Sequence, residues 1–122
     1  MIKVKGFKFS GISAGLKKSN NKDLGLIFSE KKCIAHAIFT QNKVVAAPIT
    51  IGRKLIKKKS IQSILVNSGS ANACTGEEGI IATNKVLDCI ANLTNMKSHN
   101  FFPSSTGIIG SQLDYKAINK NI

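Results

Sequence analysis

ILVNSGSANACTGEEG, residues 64–79, sets thirteen small or polar residues directly behind the apolar end of a strand-like run. Ile61 to Val66 reads as a buried strand, being short, β-branched and bounded by polar residues. Downstream, Ile80, Thr83, Val86, Leu87, Ile90 and Leu93 fall on one face of a helix, which is expected to end near Asn95. Thr75-x-x-Glu78 has the spacing of a capping box at its start. Residues 67–76 therefore join a strand to a helix N-terminus, where free amides point outward and small side chains let another group come close.

The rest of the chain continues in strands and helices. Leu24 to Phe28 and Cys33 to Phe39 read as strands around a polar turn at Ser29 to Lys32, a hairpin. Val44 to Ile51, interrupted by Pro48, reads as an edge strand or a strand leading into a short helix. A short strand at Phe101-Phe102 leads to Pro103 and a turn at Ser104-Ser105-Thr106-Gly107, and Asp114 to Ile118 begins another helix. There is no repeat and no internal boundary, so residues 1–122 read as a single unit.

At 122 residues a chain can bury about two thirds of its unfolded surface, enough for a real core. No apolar run approaches the ~18 residues of a membrane span, and Met1 to Gly6 lacks the apolar stretch of a signal peptide; the expected compartment is the cytoplasm. The net charge of +12 invites a nucleic-acid reading. Against it, Arg53 is the only arginine, the pairs Lys17-Lys18 and Lys31-Lys32 and the run Lys57-Lys58-Lys59 are scattered, and there is one Tyr and no Trp to stack bases. The lysines read as solvated surface. Cys33, Cys74 and Cys89 are odd in number and lack CxxC spacing, as suits a reducing compartment. Cys33-x-x-His36 has no second paired ligand among Cys74, Cys89 and His99, so neither metal nor cofactor is expected. His36, on an alternating stretch, reads as a satisfied structural histidine.

Two segments carry chemistry. In residues 67–79 a phosphate loop is excluded, because Gly69 and Gly76 lack P-loop spacing and Glu77-Glu78 place negative charge where phosphate would sit. The bland reading is that Asn67 and Asn72 bond their own backbone to shape a turn. In Ser104 to Gly110, a hydroxyl beside a glycine amide can aim two donors at one point, as a developing oxyanion in acyl transfer requires. The bland alternative is again a turn.

Taken in order, GISAGLKKSNNKDLGLIFSE, AIFTQNKVVAAPI, LVNSGSANACTGEEG and SSTGIIG resemble the N-terminal part of the ornithine acetyltransferase family of arginine biosynthesis, the bifunctional glutamate N-acetyltransferases. The most specific pieces are Asn67 to Gly76 and Ser105 to Gly110; Ser70 stands where the family more often has Asn. The resemblance implies a layered α/β sandwich of N-terminal-nucleophile type. It implies a precursor that cuts itself before a threonine, which then carries acetyl to glutamate by a ping-pong route, with N-acetylornithine as donor either alone or together with acetyl-CoA. By position, Thr106 through its hydroxyl and Gly107 through its amide would form the oxyanion hole. The nucleophilic threonine and the substrate-holding Lys, Thr and Glu positions of the family do not occur here, since the only Ala-Thr is Ala82-Thr83 within the predicted helix. The chain therefore reads as a truncated α-chain segment, inactive alone and exposing apolar surface. Its implied partners are the rest of the α chain and a β chain in an α2β2 assembly, with no nucleic acid and no membrane. Two other readings are a non-catalytic remnant or basic binding module, and an enzyme using Cys74 as nucleophile with His36 or His99.

Overall fold

Four strands form one mixed sheet in the order β1-β2-β3-β4, with the first three antiparallel and the last pair parallel. The computed structural model describes residues 4–58 and 60–122. Its elements are β1 (Phe7–Ile12), β2 (Leu24–Cys33), α1 (Ala47–Leu55), β3 (Ile61–Ser70), α2 (Gly76–Thr94), β4 (Phe101–Ile108) and α3 (Tyr115–Asn121). Parallel strands need a long crossover. Helix α2 supplies it, so β3, residues 71–75 and α2 are the hinge on which the topology turns.

The period-two pattern of β3 decides which side of the sheet is covered. Ile61, Ser63, Leu65 and Asn67 are buried in alternation, and Leu65 shares one buried core with Val86 and Leu87 of α2 and Ile118 of α3. Ala82, Val86, Leu87, Ile90 and Ala91 form the buried stripe of α2, and Asn95, at φ 54°, closes it where the sequence predicts. Leu93 departs from the expected stripe at 63% exposed. It overhangs an apolar groove of about 290 Å³ between α2 and the β1–β2 part of the sheet. On the other side, Phe9, Ile27 and Ile64 stand abreast, with Phe9 56% and Ile64 39% exposed. The exposed part of that apolar side is Phe9 and Ile64, whereas its β4 end, Phe102 beside Ile64, is faced by Gly52 of α1 and the ring of Phe39.

Several boundaries differ from the sequence reading. Residues 29–33 do not turn but continue β2, because the run has no Gly, Pro, Asn or Asp to reverse the chain and Ser29 pairs with Phe7 of β1. The hairpin partner of β2 is therefore β1, and 34–43 are irregular, with Ile34 and Ile38 exposed. Segment 44–51 resolves as helix α1 from Ala47, with Pro48 in its first turn, where the missing N–H costs nothing. Ser104 to Gly107 lie within β4 and not in a turn; Pro103 is tolerated because β4 is an edge strand. Along that edge α1 packs closely, Phe102 facing Gly52 and lying 6.4 Å from the ring of Phe39. Lys59 of the lysine run lies outside the described residues.

Candidate active site at the carboxyl ends of β3 and β4

Parallel pairing brings the two small-residue motifs abreast: Asn67 opposite Ser105, Ser68 opposite Thr106, Gly69 opposite Gly107. The carboxyl ends of parallel strands are where ligands commonly meet such sheets. Here the backbones come unusually close. A Cβ on Gly107 would overlap the carbonyl carbon of Gly69 and lie 2.7 Å from both Gly69 O and Ser70 N, and Gly107 holds φ at +133°. Only glycine fits that contact and that φ. Thr106 beside it is exposed. Among the described residues its hydroxyl has no hydrogen-bond partner, whereas the neighbouring Ser105 hydroxyl is engaged inward. Thr106 and Gly107, the two residues singled out from the sequence, thus stand side by side and exposed near the end of β4.

Beneath them lies a buried polar network that accounts for the composition of residues 67–75. Ser105 Oγ donates to Asn67 Oδ1 at 2.6 Å, and Asn67 Nδ2 donates to Ser70 O at 2.8 Å. Ser70 Oγ accepts from Asn72 N at 3.2 Å and donates to Ser111 O at 3.1 Å. Asn72, 0% exposed, donates through Nδ2 to Gly79 O at 3.0 Å and to Thr83 Oγ1 at 2.8 Å, and accepts from Thr75 Oγ1 at 2.8 Å. Backbone bonds complete the seam, from Ala71 N to Ile108 O and from Gly110 N to Ala73 O. The bland reading of Asn67 holds locally, but Asn72 ties the loop to α2. The anticipated capping box does not form: the Thr75 side chain makes no cap bond because Asn72 draws it inward. A Cβ at Gly79 would overlap Thr75 Oγ1 and Asn72 Oδ1, so the network also explains a glycine inside the first turns of a helix.

Replacing Asn72 by Ala should therefore be costly. It leaves the buried Thr75 hydroxyl without its acceptor and takes one donor each from Gly79 O and Thr83 Oγ1, which keep their mutual bond; at about 1–3 kcal/mol for an orphaned buried group plus the lost bonds, the expected loss of unfolding free energy is ~2–3 kcal/mol. Denaturant titration measures it; a loss below ~1 kcal/mol would mean that water replaces these bonds.

One residue that the sequence reading did not single out stands behind this seam. Asp23 is 2% exposed, and its carboxylate accepts from the backbone N–H groups of Ala14, Leu16 and Lys17, the latter two at 2.7 and 2.9 Å. Burial alone would raise its pKa; the backbone donors outweigh that and hold the carboxyl below the ordinary carboxylate value. The signal available was a lone acid closing the glycine- and lysine-rich run Gly11 to Lys22.

The cysteine-nucleophile arrangement does not assemble. Cys74 is exposed at φ 57°, just ahead of α2, whereas His99 lies past the far end of that 19-residue helix, about 28 Å along its axis. The His99 pKa is lowered, first by burial and then by Lys58, Lys97 and Lys32, lysines that the fold gathers from separate segments. His36 is exposed on the irregular segment, which corrects the expectation of a satisfied structural histidine. Cys33 Sγ donates to Ser29 Oγ at 3.1 Å, and the described residues contain no group of three His, Cys, Asp or Glu side chains placed to hold a metal ion.

Residues 8–122 match the ArgJ family. The chain belongs to the ArgJ family. Among ArgJ relatives it is similar to the arginine biosynthesis bifunctional protein ArgJ 2 of Clostridium acetobutylicum, at 48% identity over 93% of this chain and 29% of that protein. It is 46% identical to the mitochondrial ArgJ of Dictyostelium discoideum, over 97% of this chain and 27% of that protein. The fold is likewise that of ArgJ structures. The crystal structure of ArgJ from Bacillus halodurans superposes with a TM-score of 0.88 at 37% identity, covering 95% of this chain and 61% of that one. Ornithine acetyltransferase from Mycobacterium tuberculosis, solved in complex with ornithine, gives a TM-score of 0.86 at 32% identity, over 95% of this chain and 63% of that one. The chain thus spans under a third of the length of these curated ArgJ relatives, and the layered α/β class implied by its motifs is the class of its structural neighbours.

Proposed function

We propose that this chain supplies the oxyanion hole of an acetyltransferase that moves the acetyl group of N-acetylornithine to glutamate. The observation that carries this reading is the exposed Thr106 hydroxyl beside Gly107, a position that tolerates no side chain. When a threonine oxygen from a segment outside this chain attacks the acetyl carbonyl, the carbonyl oxygen gains negative charge. Thr106 O–H and Gly107 N–H donate to it, and the charge is neutralised where it develops. Collapse of the tetrahedral adduct breaks the C–N bond, the proton given up by the threonine hydroxyl passes to the departing nitrogen, ornithine leaves as the free amine, and acetyl stays esterified to the threonine. The glutamate amine then attacks that ester through a second oxyanion held by the same two donors; its collapse breaks the ester C–O bond, and the proton lost from the amine returns to the threonine oxygen.

The substrates are thus N-acetylornithine and glutamate. The partners are the remaining α segment and the β chain of an α2β2 assembly, which would cover the bare Phe9–Ile64 side of the sheet. The three unpaired cysteines support a reducing, cytoplasmic setting. The test is to incubate the complete enzyme containing this chain with acetyl-labelled N-acetylornithine and glutamate. Label should appear in N-acetylglutamate, and persistent absence of transfer would overturn the proposal.

A further inference from the structure

We infer that Asp23 is a positioning residue for the oxyanion hole, pinning residues 14–17 behind Gly69 so that Gly69 in turn holds Gly107. This inference rests on the assignment of Thr106 and Gly107 proposed above. A buried carboxylate is costly unless its lone pairs are satisfied. Among the described residues Asp23 has no cationic partner, and its stabilisation comes from the N–H groups of Ala14, Leu16 and Lys17. Those bonds fold one segment tightly around a single point. Its own backbone extends the grip, the N–H donating to Ile12 O and the carbonyl accepting from Ser68 N at 2.8 Å. Ser68 is the residue abreast of Thr106.

The segment so pinned lies directly on Gly69. A Cβ there would be 3.2 Å from Leu16 O, 3.3 Å from Leu16 Cβ and 3.4 Å from Lys17 Cγ, while the backbone of Gly69 is what a Cβ on Gly107 would strike. Leu16 and Lys17 therefore lie against Gly69, through the Leu16 carbonyl and the inner side-chain atoms of both, and the Gly69 backbone lies directly against Gly107. The stack needs outside support, because the β3–β4 register shifts at Gly69 and Ser70 and both glycines hold φ above +100°. Replacing a carboxylate retained only for stability would cost unfolding free energy and leave the turnover of the folded enzyme unchanged. Replacing one that sets the place of Gly107 costs rate as well, since small misplacements of catalytic groups cost large factors in rate.

The test uses the complete enzyme. Asp23→Asn keeps the size but turns an NH2 group toward backbone donors, and should lower kcat about tenfold or more with KM for N-acetylornithine unchanged. Combined with Thr106→Val, it should lose less than the product of the two separate losses, because both act on one oxyanion. Leu16→Gly, which leaves the amides that bind Asp23 but removes the Cβ backing Gly69, should lower kcat severalfold, and it decides the matter if Asp23→Asn does not assemble. If Thr106→Val slows the enzyme while neither Asp23→Asn nor Leu16→Gly does, the positioning role fails and the oxyanion assignment stands. Fully multiplicative losses would also overturn the positioning role. If Thr106→Val itself leaves the rate intact, the underlying assignment fails instead.

Discussion

Thr106→Val in the complete enzyme is expected to lower kcat for acetyl transfer by a factor of about 10² to 10³, equivalent to ~3–4 kcal/mol of transition-state stabilisation. Valine has nearly the shape of threonine and suits a strand. Thr106 is exposed and its hydroxyl bonds no other described residue, so the substitution should shift stability by less than ~0.5 kcal/mol. What it removes is a donor whose partner exists only when the carbonyl oxygen carries charge. KM should therefore change little, since the loss falls on the transition state and spares the ground state. Thr106→Ser keeps the donor and should recover most of the rate. Steady-state kinetics on the three proteins decides it, and a Thr106→Val enzyme as fast as the parent would remove Thr106 from the site.

The sequence pointed to Thr106 through the resemblance of Ser105 to Gly110 to the family motif; the local sign, a hydroxyl next to a glycine, fits a turn equally well. Helix α2 was legible for a different reason, as its apolar residues recur at helical spacing over 19 residues and leave no other period to fit. The strand ends were not. Asn67 to Ser70 and Ser104 to Gly107 look like loops because they are polar and glycine-rich, yet both continue their strands. Their polarity serves neighbours that are distant in sequence, such as Ser105 for Asn67, and no local pattern reports such a partner. The same limit produced the false hairpin at Ser29 to Lys32, where the true partner of β2 begins at Phe7. It also hid Asp23, whose importance lies in three amides that only the fold brings to it.

The contact between the two strand ends yields the second large effect. Alanine at Gly107 meets two independent penalties: a φ of +133° that an L residue rarely adopts, and overlap with Gly69 backbone that cannot swing aside as a side chain would. At about 1–3 kcal/mol for the backbone strain and about 1–3 kcal/mol for the forced displacement, the expected destabilisation is ~3–5 kcal/mol. The assembled enzyme should lose transfer activity along with stability, because the displaced backbone carries the proposed amide donor. Two other glycines separate the terms. Gly69→Ala combines φ +116° with contacts of 3.2–3.4 Å, a tight fit against Leu16 and Lys17, whereas Gly110→Ala combines φ +80° with open space. Equilibrium denaturation should rank the losses Gly107 above Gly69 above Gly110. If Gly107→Ala were no worse than Gly110→Ala, strain alone would account for both, and the close approach of β3 and β4 on which the oxyanion geometry depends would not exist in solution.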